Sequence, residues 1–162
     1  MFLVGEFVIR RNNKIFFSVC LQSVLLCFCA SMPSSVWANS RIGLVKTYEP
    51  TATIIRQGQK IPLSEGAEIF EGDMIETDSS GAVGIVFSDG AVLTLGPSGK
   101  MIIEDFLFKP DEKQVSFISS IFKGTVAFFS GAINRIQPGA VKFKTPTATL
   151  GLRGTRVLIE VD

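Results

Sequence analysis

The chain has 162 residues with 16 basic and 15 acidic side chains, 46% hydrophobic residues and no histidine. Without histidine it lacks the base of a Ser-His or Cys-His catalytic pair. The near-neutral charge also lacks the basic excess with which proteins displace counterions from nucleic acid. We therefore expect a protein that is not an enzyme, uses no cofactor and binds no nucleic acid.

The N-terminal segment has the pattern of a secretory signal peptide. Three basic residues lie within its first fourteen positions, residues 15–30 carry no charge, and small residues lead up to Ala38. We expect a hydrophobic signal helix at 1–38 that is cleaved after Ala38, and an exported domain at 39–162 that is periplasmic or secreted. The alternative is an uncleaved inner-membrane anchor, since about 20 apolar residues span a bilayer.

The three cysteines, Cys20, Cys27 and Cys29, all lie in this leader. Cys27 and Cys29 each follow a large residue, which disfavours lipidation. The exported part would have neither a disulfide nor a thiolate, so its core must hold it together without a covalent cross-link. Three basic residues and one acidic residue also lie in the leader, which leaves a net charge of −1 on the remainder.

From residue 41 onward, short β-rich runs alternate with turns that contain glycine or proline. The run 116–122 could instead form one helical turn. The predicted strands lie at 51–56, 60–63, 82–87, 91–95, 100–108, 115–118, 125–129, 141–145 and 156–161.

The clearest hairpin is predicted at 82–95, where Asp89 and Gly90 separate two β runs. Asp-Gly favours a type I′ turn, which requires positive φ at both central residues. About ten short strands indicate one compact all-β domain, either a sandwich, a barrel or a β-solenoid. Parallel and antiparallel strand orders both stay open.

Three fragments in fixed order carry a family resemblance. They are 63–66 together with 70–77, then 86–93, then 145–156. In this order they resemble the FecR domain, over nearly all of the expected exported chain.

The resemblance implies a periplasmic module of envelope signalling. In well-known members a cytoplasmic anti-sigma segment precedes one membrane helix, and the periplasmic domain reports contact with an outer-membrane receptor. Only about fourteen residues precede the hydrophobic run here. We therefore expect a stand-alone exported FecR-like domain that binds a membrane or envelope protein and does not control a sigma factor directly.

The residues of the family motif are interpreted mainly as architectural, because glycine accepts positive φ and aspartate caps neighbouring amides in turns. Gly154 and Thr155 are expected to let the last strand enter a crowded layer. Arg153 and Arg156 could contact an acidic partner or a glycan. The motif residues are Gly66, Gly72, Asp73, Asp89, Gly90, Thr145, Pro146, Gly154 and Thr155.

Other sites receive less support from the sequence. Asp73, Asp78 and Asp89 could be considered for calcium, but no EF-hand pattern surrounds them, so we expect no metal site. Glu104 and Asp105 are adjacent on a predicted strand and would face opposite ways, which makes them a poor catalytic pair.

The phenylalanines of the second half are predicted to lie mainly in the core, and the alternative is an exposed patch that could pair with another chain. Two alternative functions stay open. One is a module that binds cell-wall or exopolysaccharide glycan, and the other is a structural subunit that assembles through an exposed edge strand at 157–161. The phenylalanines are Phe106, Phe108, Phe117, Phe122, Phe128, Phe129 and Phe143.

Overall fold

The structure is a computed structural model that describes residues 40–49, 52–154 and 156–162. The predicted signal helix and Thr155 lie outside the described residues. The strands are β1 (Gly43–Tyr48), β2 (Ala52–Arg56), β3 (Gln59–Pro62), β4 (Glu68–Ile69), β5 (Met74–Thr77), β6 (Val83–Phe87), β7 (Val92–Leu95), β8 (Lys100–Lys109), β9 (Gln114–Phe129), β10 (Val141–Lys144), β11 (Thr149–Gly151) and β12 (Arg156–Val161). A 3-10 turn covers Pro110–Glu112, and one short helix, α1, covers Ala132–Ile136.

The prediction of an all-β fold is confirmed, and the strands form a curled open sheet. Nine strands follow one hydrogen-bonded path in the order β3-β2-β5-β8-β9-β7-β6-β1-β4, with neighbours antiparallel. Three further strands branch from it: β10 and β12 pair with β9, and β11 pairs with β10. Only the β9–β10 pair is parallel among the described strands. No helix within the described ranges is long and apolar enough to cross a membrane.

The long strand β9 joins two parts of this sheet. Its first part pairs with β8 and β10, and its last part, from Gly124 to Phe129, pairs with β7 and β12. We call the first part, which contains β2, β3, β5, β8, β10 and β11, the β8 half. We call the last part, which contains β1, β4, β6, β7 and β12, the β7 half. The run 116–122 is therefore strand, and the alternative of a helical turn is wrong.

Gly124 allows β9 to pass from one half to the other. Its φ of +90° is unfavourable for residues with a side chain, and a Cβ at this position would lie 2.5 Å from the Cα of Gly99. The bend therefore depends on the absence of a side chain.

The core lies against the inward faces of both halves. Buried and half-buried residues alternate along β6 as a two-sided strand requires. Phe117 of β9 contacts the rings of four other phenylalanines at centroid distances of 5.0–5.9 Å, and these come from both halves: Phe87, Phe106, Phe128 and Phe143. Each buried ring contributes about 1.5–3 kcal/mol of burial free energy.

Two of the predicted core phenylalanines are instead exposed. Phe122 is 44% exposed and Phe129 is 39% exposed. Each follows a fully buried strand neighbour, Ile121 or Phe128, and successive side chains on a strand face opposite ways. Both therefore point outward, and the core prediction was wrong for them.

The hairpin between β6 and β7 is confirmed, but its predicted type I′ turn is wrong. Gly90 has φ +82°, whereas Asp89 is not among the described non-glycine residues with positive φ. The Gly90 amide donates to the Phe87 carbonyl at 3.0 Å, and the Phe87 amide donates to the Ala91 carbonyl at 2.9 Å. These contacts fit a three-residue loop with glycine at its last position.

A two-residue turn with positive φ at both positions joins β2 to β3 instead. Gln57 has φ +51° and Gly58 has φ +80°, between Arg56 and Gln59, which pair directly. This is the backbone pattern of a type I′ turn.

Candidate interaction surface

Asp73, one of the motif residues, is fully buried and paired with an arginine. The Arg56 guanidinium donates to its two carboxylate oxygens at 2.7 and 2.8 Å, and the Phe70 amide donates to Oδ2 at 2.8 Å. The hydrogen bond that Arg56 donates to Asp73 raises the pKa of Arg56 above its ordinary value. This carboxylate is occupied by structural contacts and is closed to solvent, so it is no ligand for calcium or for a partner.

Asp89 fixes the turn that precedes β7 to the start of α1. Its Oδ1 accepts from the Ala91 amide at 3.0 Å, and its Oδ2 accepts from the Ile133 amide at 3.3 Å. The Ala132 amide donates to the Asp89 backbone carbonyl at 2.9 Å. The side chain is buried and acts as a cap.

The motif glycines Gly66 and Gly72 occupy exposed turns with φ of +80° and +84°. Thr145 follows β10 and closes the loop to β11, because its amide donates to the Ala148 carbonyl at 2.8 Å and its Oγ1 accepts from the Ala148 amide at 3.1 Å. Pro146 is exposed within this loop.

The expectation that Gly154 enters a crowded layer is wrong, since a Cβ added there would meet no atom within 4 Å. Gly154 lies in the exposed loop before β12, where its carbonyl accepts from Ser130 Oγ at 2.9 Å and from Asn134 Nδ2 at 2.7 Å. Arg153 is exposed in the same loop.

The outward face of the β8 half carries paired charges beside a short apolar row, in which Ile55, Met74 and Ile102 lie opposite one another and are half-buried. Glu76 accepts from Lys100 at 2.7 Å and lies 3.6 Å from Lys60, and Glu104 accepts from Lys144 and from Ser120 Oγ. The hydrogen bond from Lys100 lowers the pKa of Glu76, and those from Lys144 and then Ser120 lower the pKa of Glu104. No group of three potential metal-ligating side chains occurs in the described part of the chain.

An unbroken row of four apolar side chains crosses the outward face of the β7 half. Leu44 of β1 lies opposite Val86 of β6, Val86 opposite Val92 of β7, and Val92 opposite Phe129 of β9. We call Leu44, Val86, Val92 and Phe129 the apolar row. All four are half-buried or exposed.

Charged residues lie at both ends of the apolar row. Glu68 of β4 pairs with Leu44 and forms an exposed ion pair with Arg41 at 3.2 Å. At the other end, Arg156 of β12 pairs with Phe129, and its guanidinium lies 4.5 Å from the centre of that ring. Arg156, which the sequence indicates as a possible partner contact, lies on this surface. Arg153, the other arginine so indicated, is exposed in the loop before β12.

A second row beside the first consists mainly of small residues. Directly paired positions place Thr47, Gly84, Thr94, Ala127 and Leu158 side by side across β1, β6, β7, β9 and β12. A shallow cavity of about 260 Å³ lies over this region, lined in part by Thr47, Gly84, Val86, Val92 and Thr94. Leu158, at the β12 end, is 70% exposed.

The sequence interpretation missed the apolar row, although the alternation of side chains along each strand could have revealed part of it. Phe128 and Phe129 are adjacent on one strand, so at most one of them can face the core. The alternation Val83, Ile85, Phe87 inward also leaves Val86 outward. Reading both faces of each strand would have identified Val86 and Phe129 as exposed apolar residues.

No protein-family model matches the chain, and no curated protein matches it. Among solved structures, it is similar to a chain described as a cell surface anchoring domain, at 31% identity over 38% of this chain and 82% of that one. The TM-score is 0.37, which does not establish a common fold.

Proposed function

We propose that this protein is a non-catalytic, exported FecR-like domain that acts in envelope signalling by binding a membrane or envelope protein. The ordered motifs of the sequence support the family, and the leader pattern supports a periplasmic or secreted location. The apolar row and the small-residue row beside it are the surface that contacts the partner.

The apolar row, which extends to the exposed ring of Phe129, carries this proposal. In the β8 half, the outward apolar side chains of Ile55, Met74 and Ile102 are all half-buried beside lysine–glutamate pairs. In the β7 half, four apolar side chains lie side by side across four strands, with charges at the ends. Apolar surface bordered by polar residues is typical of protein interaction sites, and an aromatic residue with a nearby arginine is typical of the residues that dominate their affinity.

The glycan-binding alternative receives less support from this surface. Among the side chains that the structure describes in the β7 half, the ring of Phe129 faces outward, and Arg156 already lies over it. A sugar would have to displace that arginine from the ring face. Glycan binding is therefore kept as an outcome of the test and not as a second proposal.

Photo-crosslinking of the full chain in its host tests the partner surface. A benzophenone side chain at Thr94, exposed in the β7 half, should capture one envelope protein. The matched control is the same side chain at Thr149, exposed on β11 in the β8 half, and it should not capture that protein. Val86→Glu, which places a charge in the apolar row, should abolish capture from Thr94 while leaving the far-ultraviolet circular dichroism spectrum unchanged.

Equal capture from Thr94 and Thr149 would contradict the proposed surface. Capture of glycan fragments without any protein would contradict the proposed function and favour glycan binding.

A further inference from the structure

β12 is an edge strand whose second side carries no partner among the described strands. It pairs antiparallel with β9 from Arg156 to Val161, and that is its single pairing within the described part of the sheet. On the other side, the amides and carbonyls of alternate residues are available for hydrogen bonds with another strand.

The outward residues of β12 form a pattern that is complementary to itself. Arg156, Leu158 and Glu160 occupy alternate positions and face outward, whereas Ile159 is buried. A two-fold axis perpendicular to the sheet and midway between the Leu158 residues of two copies would place the two β12 strands antiparallel. Arg156 would then lie opposite Glu160 of the second copy, Leu158 opposite Leu158, and Val157 opposite Ile159.

We infer that the protein forms a two-fold dimer in which the β12 strands of two copies pair antiparallel with Leu158 at the centre. Leu158 is 70% exposed, the highest exposure among the large hydrophobic residues that the structure describes, and the pairing covers it from both copies. The two-fold symmetry repeats the contact between Arg156 and Glu160, so the interface contains two such pairs. Glu160 has no ion pair within the described residues, so it is available for the arginine of the second copy.

The charges select this arrangement over its alternatives. A parallel, in-register pairing would place Arg156 opposite Arg156 and Glu160 opposite Glu160, and like charges directly opposite each other are destabilising. A one-residue slip of the antiparallel pairing would place outward residues opposite inward ones. The Leu158-centred register keeps like faces together and pairs every outward charge with its opposite.

The dimer extends the sheet and joins the two apolar rows. Because the axis is perpendicular to the sheet, both copies present the β7 half on the same side, and Phe129 lies one strand away from the interface in each. This inference goes beyond the proposed function and does not depend on it, since a dimer could form whatever the apolar row binds.

Sedimentation equilibrium of the full protein, purified from cells that express it, tests the inference. The wild type should associate to a dimer as its concentration rises. Glu160→Arg or Arg156→Glu alone should weaken association about tenfold or more, which corresponds to about 1.4 kcal/mol. The double variant Arg156→Glu with Glu160→Arg restores opposite charges across the axis and should restore association. Glu65→Arg, an exposed turn substitution, is the control and should leave association unchanged.

Cysteine crosslinking checks the register. With the three native cysteines replaced by serine, Leu158→Cys should form an intermolecular disulfide under mild oxidation, because directly opposed strand residues lie about 4.5–5.5 Å apart at their Cα atoms. Thr94→Cys is the control and should not crosslink. A strictly monomeric wild type at all concentrations, or a double charge swap that stays monomeric, would overturn the inference. So would a monomer whose β12 captures the strand of a different protein.

Discussion

Asp73, in the turn that contains Gly72, has two structural roles, one within its own turn and one in an ion pair with a distant arginine. Its carboxylate satisfies the Phe70 amide as a turn aspartate should, and it also neutralises Arg56 from a fully buried position. Removing one member of a buried, hydrogen-bonded ion pair leaves the other without compensation, which is costly. Asp73 is therefore a position where substitution acts on stability and not on partner binding.

Asp73→Ala should lower the free energy of unfolding by about 2 kcal/mol, because the Phe70 amide loses its acceptor and Arg56 loses two of its hydrogen bonds while keeping the one to the Glu68 carbonyl. The matched control is Glu68→Ala, which breaks the exposed pair with Arg41 and should cost less than about 1 kcal/mol. Urea denaturation of both variants measures the difference. Equal effects of the two substitutions would show that the buried pair is not stabilising.

Gly131 lies against the Asp89 turn with no room for a side chain. A Cβ there would lie 2.5 Å from the Ala91 amide nitrogen and would also overlap the Asp89 carboxylate. Gly131→Ala should therefore destabilise the protein by about 2 kcal/mol or more. Gly151→Ala is the control, since its Cβ would meet nothing within 4 Å, and it should change stability by less than about 1 kcal/mol. Thermal unfolding of the two variants distinguishes them.

At the scale of elements, alternation within each strand was readable from the sequence and the pairing between strands was not. The exception is the β6–β7 hairpin, which the Asp89-Gly90 turn predicted because two strands joined by so short a turn pair with each other. No short turn constrains β9 in this way, because its partners β7, β8, β10 and β12 are set by contacts distant along the chain. Since the apolar row exists only once β1, β6, β7 and β9 are side by side, it could not be predicted as a surface.

Contacts among the neighbouring strands β8, β9 and β10 make part of the stability dependent on pH. Glu104 has a folded-state pKa below its ordinary value of 4.5, chiefly because Lys144 and also Ser120 hydrogen-bond its carboxylate. A lowered folded-state pKa contributes stability above the unfolded-state pKa, and this is lost as the pH falls through the folded-state pKa.

The free energy of unfolding should therefore decrease from about pH 5 downward, and the decrease should be smaller in Glu104→Gln. Urea denaturation across this pH range measures both slopes. Lys144→Met removes the main cause of the shift and should flatten the slope in the same way. An unchanged slope in both variants would show that this contact does not couple folding to protonation.

At the scale of the whole molecule, one strand and one aromatic cluster belong to both halves of the sheet. β9 pairs with strands of both, and the ring of Phe117 contacts Phe87 from the β7 half and Phe106 from the β8 half. Neither half can lose its structure while the other keeps a complete core. We expect one cooperative unfolding transition.

Methyl NMR during urea titration checks this expectation. The signals of Ile85 in the β7 half and of Ile75 in the β8 half, both fully buried, should disappear at the same urea concentration. The circular dichroism midpoint should coincide with theirs. Separate midpoints for the two isoleucines would mean that the halves unfold independently.

The position of β9 in the chain also governs when folding can begin. Its partners β7 and β8 precede it, and β10 and β12 follow it. A chain still being synthesised therefore has no central strand to pair with until most of its residues have emerged. Because non-local pairings form slowly, the newly made protein should fold late, and the export proposed above would be favoured by that delay, since a translocation machine that accepts extended chains requires an unfolded substrate.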